Sequence, residues 1–171
     1  MTDQPASPYL DDIVDVPNNP RPEGAEIIWF EGTGGRRLRA CIAPATVDTP
    51  RGTSIVCPGR TEFIEKYFEV ARDLQSRGFA VIILDWPGQG RSERLLDDSK
   101  KGHIDRFETF MGALARGLEK LEDRLPRPYV SVAHSMGGAI ALAAISQGLG
   151  KVEAAAFSAP MWGLRTRVFG I

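Results

Sequence analysis

Six consecutive residues, Ala133-His134-Ser135-Met136-Gly137-Gly138, set a serine between small neighbours at the junction of a strand-forming and a helix-forming stretch. A sharp strand-to-helix turn pushes such a hydroxyl out above a sheet, and the crowding of that turn demands small side chains two residues to either side. Ala133 and Gly137 meet the demand, the methyl of Ala133 standing where the simplest pattern has glycine. Ser135 therefore reads as a nucleophile for acyl transfer rather than as a cap on the following helix, a common task for serine. His134 and Gly138 support the turn, with the His134 side chain directed elsewhere for packing or hydrogen bonding. Attack on a carbonyl puts negative charge on an oxygen, which calls for preorganised donors. Met136, directly after the serine at the positive end of its helix, offers one backbone N–H. The second is expected from Cys57-Pro58-Gly59-Arg60-Thr61-Glu62, where Gly59 permits close approach and the N–H of Arg60 is the candidate. Without the serine turn, Pro58-Gly59 would read as an ordinary turn.

The surrounding elements are those needed to hold these groups at one end of a sheet. Residues 26–31 and 37–43 flank Gly32-Thr33-Gly34-Gly35 and predict an antiparallel hairpin. Residues 53–57 and 80–84 are short apolar or β-branched runs suited to buried parallel strands. Between them Ile64, Tyr67, Phe68, Ala71 and Leu74 recur at helical spacing, and Arg77-Gly78 supplies a stop. A second helix is expected over 104–124 from the stripe Phe107, Phe110, Met111, Leu114, Leu118 and Leu121, ended by Pro126. A strand over 129–132, a helix over 136–147 and a strand over 152–157 follow. The alternation predicts an α/β fold: a mostly parallel sheet with an N-terminal antiparallel hairpin, helices on both faces, and functional groups at the carboxyl ends of the strands. Residues 1–23, rich in Pro, Asn and Asp, are expected to form an extended or mobile arm. Residues 24–160 form the N-terminal part of the domain, and 161–171 the start of a cap or linker in which Trp162, Leu164, Val168 and Phe169 suggest something larger.

Cys57-Pro58-Gly59-Arg60-Thr61-Glu62, Leu84-Asp85-Trp86-Pro87-Gly88-Gln89-Gly90-Arg91-Ser92, Gly102-His103-Ile104-Asp105-Arg106-Phe107 and the serine motif occur in this order over residues 25–165. This series resembles the lysophospholipase and monoacylglycerol lipase (serine aminopeptidase S33-like) group of α/β-hydrolases. In that group the first motif usually begins His-Gly, where this chain has Pro58-Gly59, and a His-Arg pair is common where it has Trp86-Pro87. The resemblance implies the α/β-hydrolase fold and an oxyanion hole from Arg60 and Met136. It further implies a Ser135 acyl-enzyme formed from a lipid ester, lysophospholipid or monoacylglycerol, and a cap beginning beyond Pro160.

After Ser135 the sequence has no histidine and no aspartate. Glu153, the one later acid, falls at the start of its strand, the wrong end of the sheet for orienting a base. Asp85 precedes the serine, against the chain order of this fold, and reads as a structural hydrogen-bonding group. His103 belongs to a supporting loop. The triad acid and histidine are thus expected beyond residue 171, and this chain alone should turn over little or nothing. A noncatalytic remnant or binding protein, and a peptidase or thioesterase of the same fold, stay open beside the esterase reading. Gly88-Gln89-Gly90 lacks the third glycine and the prompt helix of a nucleotide-binding loop.

Composition narrows the partners. The chain has 171 residues, with 21 Lys and Arg against 22 Asp and Glu, which leaves no electrostatic footprint for nucleic acid. Cys41 and Cys57 sit in strands at no metal-ligand spacing and read as reduced core residues, so neither a metal nor an organic cofactor is expected. With no leader-like start and no long apolar run, a cytoplasmic location is the default, contact with a membrane surface stays open, and oligomeric state is not legible.

Overall fold

The computed structural model describes residues 13, 14 and 16–163. Strands β1 (Glu26–Glu31) and β2 (Arg37–Ala43) pair antiparallel across a 3-10 turn in which Gly34 and Gly35 take φ of 74° and 76°. Both lie in the left-handed region that a Cβ disfavours, so this turn is closed by glycine. Then follow β3 (Gly52–Cys57), α1 (Phe68–Ser76), β4 (Phe79–Leu84), α2 (Glu108–Lys120), β5 (Tyr129–His134), α3 (Met136–Ser146) and β6 (Val152–Ser158). The sheet order is β1-β2-β4-β3-β5-β6, with β4, β3, β5 and β6 parallel, β2 antiparallel to β4 and β1 antiparallel to β2.

Strand alternation divides the core into two layers, since successive side chains point to opposite faces. On one face Leu38, Ala40, Ile55, Cys57, Ile82 and Leu84 meet Phe110, Leu114 and Leu118 of α2 and Ile140 and Ala144 of α3. On the other, Cys41, Ala43, Val56, Val81 and Ile83 meet Phe68 and Ala71 of α1. Helices thus cover both faces, as the alternating pattern predicts. Cys41 and Cys57 are free and buried.

Several boundaries differ from the sequence reading. The second helix begins at Glu108 rather than at residue 104, because the Asp105 carboxylate accepts the Arg106 N–H (2.9 Å) and the Thr109 hydroxyl (3.1 Å) and holds the chain in a turn. It closes at Lys120, followed by a separate 3-10 turn, Glu122–Arg124. A 3-10 turn, Ile64–Tyr67, likewise leads into α1. Order also begins before Gly24. Ile13 is buried with α1, the Val14 N–H donates to Glu65, and Asn19 bonds the Glu65 carbonyl and the Arg72 guanidinium. Its polar side chains, read as breakers of regular structure, here bind neighbours instead. Residues 1–12 of the expected arm, and Leu164, Val168 and Phe169 of the expected cap start, lie outside the described residues. Trp162 is described and 59% exposed, its ring 5.2 Å from that of Phe157.

Candidate active site

Ser135 stands between β5 and α3 with φ 50° and ψ −120°, a backbone conformation that costs a non-glycine residue about 1–3 kcal/mol. Its N–H donates to Ser158 O (3.1 Å) at the end of β6, and its carbonyl accepts from Met161 (2.9 Å) and Gly138 (3.0 Å), so the surrounding chain imposes the strain. Its side chain makes no capping hydrogen bond to α3.

The glycines around it allow close approach. A Cβ on Gly137 would lie 2.1 Å from Cys57 O and 2.5 Å from Pro58 O, so the start of α3 rests directly on the end of β3. A Cβ on Gly138 would meet Pro160 at 2.8 Å. Ala133 is buried in the core, where its methyl fits. The His134 ring approaches Ser158 O through Nδ1 at 3.1 Å.

The loop after β3 lies against the serine: a Cβ on Gly59 would be 3.1 Å from Ser135 Cβ. Side chains bind several polar groups of this loop's backbone. Trp86 Nε1 donates to Pro58 O (2.7 Å), Gly59 N–H donates to Glu62 Oε2 (2.5 Å), and Gln89 accepts from Thr61 N–H while its amide nitrogen approaches Gly59 O at 3.5 Å. Proline has no N–H. Among the described residues, the N–H of Arg60 and that of Met136, in the first turn of α3, have no protein acceptor. The first N–H groups of a helix have no intrahelical partner and Arg60 is exposed, so both donors are open to a ligand beside the strained serine.

Glu62, Gln89 and Trp86 are the contributors that sequence reasoning missed, although all three fall inside the motifs quoted for the resemblance. Burial would raise the Glu62 carboxyl, but Lys66, the Tyr67 hydroxyl (2.5 Å) and Gly59 N–H outweigh it and hold the group below its ordinary value. Burial and the Glu62 charge in turn push the Tyr67 hydroxyl upward. Trp86, where a histidine is common, is fully buried, with its ring edge-on to Phe110 at 6.1 Å.

Asp85 anchors the turn that carries Gln89. Its carboxylate accepts from Arg39 Nε (2.7 Å), Ile64 N–H (2.9 Å) and Arg91 N–H (2.9 Å), and Arg39 grips Glu65 through both terminal nitrogens (3.0 and 2.9 Å). All three charged groups are buried. Gly90 lies against this carboxylate, 2.1 Å from Asp85 Cγ had it a Cβ, so Gly88-Gln89-Gly90 is a turn wrapped over an ion pair. Burial pushes the Asp85 carboxyl up, and Arg39 with the Arg91 and Ile64 N–H groups pulls it back.

Neither histidine is hydrogen-bonded to Ser135 among the described residues; His103 is exposed beside Gly88. Glu153 lies at the amino end of β6, level with Tyr129 and Val130 and at the far end of β5 from the serine. No three metal-binding side chains converge among the described residues, and no helix there is long and apolar enough to cross a membrane.

Residues 48–170 match the family described as serine aminopeptidase, S33. The chain belongs to this family. It is 43% identical over 115 residues to lysophospholipase L2 of Escherichia coli (strain K12), covering 67% of this chain and 34% of that protein. It is 30% identical over 133 residues to monoacylglycerol lipase of Mycolicibacterium smegmatis (strain ATCC 700084 / mc(2)155), covering 77% of this chain and 45% of that one. A lipase solved in its open form superposes with a TM-score of 0.66 at 24% identity, over 78% of this chain and 43% of that one. The S33 chain thus has the α/β-hydrolase fold and spans about a third to under half of the length of these relatives.

Proposed function

We propose that the full-length protein carrying this sequence is a serine esterase that cleaves a lipid carboxylic ester, a lysophospholipid or a monoacylglycerol, through an acyl-enzyme on Ser135. The observation that carries this reading is the strained Ser135, free of any capping bond, beside a loop whose Gly59 and Thr61 N–H groups are held by side chains while the Arg60 N–H between them is not. In the proposed reaction Ser135 Oγ adds to the ester carbonyl while its proton passes to a histidine. The N–H groups of Arg60 and Met136 hold the resulting oxyanion, and the alcohol leaves with that proton. Water then releases the fatty acid. The histidine and its orienting acid are assigned to residues outside those described, since no described histidine bonds to Ser135. The named relatives, a lysophospholipase and a monoacylglycerol lipase, support the substrate class. Triad and oxyanion hole together supply activation and charge stabilisation with no cofactor.

The test is hydrolysis of lysophospholipid, monoacylglycerol and p-nitrophenyl esters by the full-length protein, beside peptide and thioester substrates. Ser135→Ala should lower ester turnover by at least about a thousandfold, and a fluorophosphonate should label Ser135 in the unsubstituted protein. Cleavage of peptides or thioesters alone would move the substrate assignment. A protein whose Ser135 stays unlabelled and which cleaves nothing would be the noncatalytic binding form of the fold.

A further inference from the structure

Arg60 contributes more than its main chain to this rim. Its guanidinium runs to the loop after β4, where Nη2 donates to Gly102 O at 3.2 Å. That is the guanidinium's one hydrogen bond among the described residues, and the side chain is exposed, so most of its N–H donors stay uncommitted. Glu62, the carboxylate of the same loop, does not occupy it: Glu62 is taken by Lys66, Tyr67 and Gly59 N–H. Lys101, next to Gly102, is exposed and lies 3.5 Å from the Asp98 carboxylate, so this carboxylate too is paired away from the Arg60 guanidinium.

We propose that the Arg60 guanidinium receives the phosphate of a glycerophospholipid and so selects a lysophospholipid over a monoacylglycerol at the site built around Ser135. The inference rests on the esterase reading for which ester is cleaved, but the binding it describes does not require turnover. The reach fits. From the ester carbonyl carbon of a monoacyl glycerophospholipid to its phosphorus there are as many bonds as from the Arg60 amide nitrogen to its own Cζ. A carbonyl oxygen held by the Arg60 N–H therefore leaves the phosphate within reach of the same residue's side chain. A monoacylglycerol carries only a hydroxyl there. Arginine is suited to this role because its planar fork matches phosphate oxygens in pairs, and such charge-assisted bonds are the strong ones. The two relatives named above differ in this group: one is called a lysophospholipase, the other a monoacylglycerol lipase.

The experiment has a kinetic arm and a binding arm, both on the full-length protein. In the first, Arg60→Gln, which keeps the main-chain N–H, should lower the ratio of kcat/KM for lysophosphatidylcholine to that for monoacylglycerol about tenfold to a hundredfold, with Arg60→Lys falling between. An unchanged ratio would overturn the proposal. In the second, an uncleavable octyl ether of glycerophosphocholine and the matching octyl glycerol are titrated by calorimetry. The unsubstituted protein should bind the phosphate-bearing ether about tenfold more tightly, and R60Q should erase the difference. Loss of that preference in R60Q with no turnover of any ester would sink the esterase reading while leaving the phosphate site standing. A preference that persists in R60Q, or one that inorganic phosphate alone abolishes at the concentration of the ether, would refute the headgroup assignment.

Discussion

Replacing Arg39 by methionine tests how far the site depends on buried charge. Arg39 lies in β2, its guanidinium shared between Asp85 at 2.7 Å and Glu65 at 3.0 and 2.9 Å, all within the protein. Methionine preserves much of the apolar stem but leaves two buried carboxylates facing each other. Removing one partner of a buried ion pair costs about 3–5 kcal/mol, because the remaining charge stays desolvated and uncompensated. For a protein of this size or somewhat larger each kcal/mol moves Tm by about 2–4 °C, so R39M should melt roughly 6–20 °C lower. The pH dependence supplies the sharper check. Burial already raises the Asp85 carboxyl above its ordinary 3.8, and Arg39 is the largest influence pulling it down, so the substitution raises it further. In the interval above 3.8 the folded variant then binds a proton that the unfolded chain does not. Its stability falls as pH rises through that interval and recovers on acidification. Urea unfolding followed by circular dichroism between pH 5 and pH 8 measures both effects. A loss below about 1 kcal/mol, or a deficit against the unsubstituted protein that fails to shrink toward pH 5, would refute the assignment of buried, coupled charge.

Further outcomes follow from the same geometry. Ser135→Gly should abolish ester hydrolysis yet stabilise the fold by about 1 kcal/mol, because glycine tolerates the φ of 50° that serine is forced into; chemical denaturation would expose the reverse sign if the turn were unstrained. Gln89→Leu leaves Thr61 N–H and Gly59 O without their partner and should lower kcat about tenfold to a hundredfold with little change in KM. Equal changes in both constants would show that Gln89 acts on binding instead. Burial pushes the thiols of Cys41 and Cys57 up to about 12, so at pH 8 iodoacetamide should spare both in the native protein and modify both in denaturant, as read by peptide mass spectrometry. Rapid native alkylation would contradict the packing of both strands.

Much of the fold was legible because its signals are local. The hairpin strands run over the residues expected, 26–31 and 37–43, since apolar alternation and a glycine turn act within a few residues of each other. The serine turn was legible for the same reason: strand, small residues and helix are contiguous around Ser135. The helix expected from residue 104 shows the limit of periodicity, since Ile104 and Phe107 continue the apolar stripe while the Asp105 carboxylate bonds Arg106 and Thr109 and delays the start.

By itself, then, the sequence determined the elements, the parallel α/β character and the position of Ser135, because each is written in short-range periodicity and turn chemistry. Only the tertiary structure decided that β4 inserts between β2 and β3. That order brings Arg39 to Asp85, Trp86 to Pro58 and Gln89 to Thr61, partners 46, 28 and 28 residues apart in the chain. Their hydrogen bonds engage the Pro58 carbonyl and the Thr61 N–H and leave the Arg60 N–H without a protein acceptor among the described residues. No periodicity encodes such pairings, because a side chain's partner depends on which strand lies beside its own.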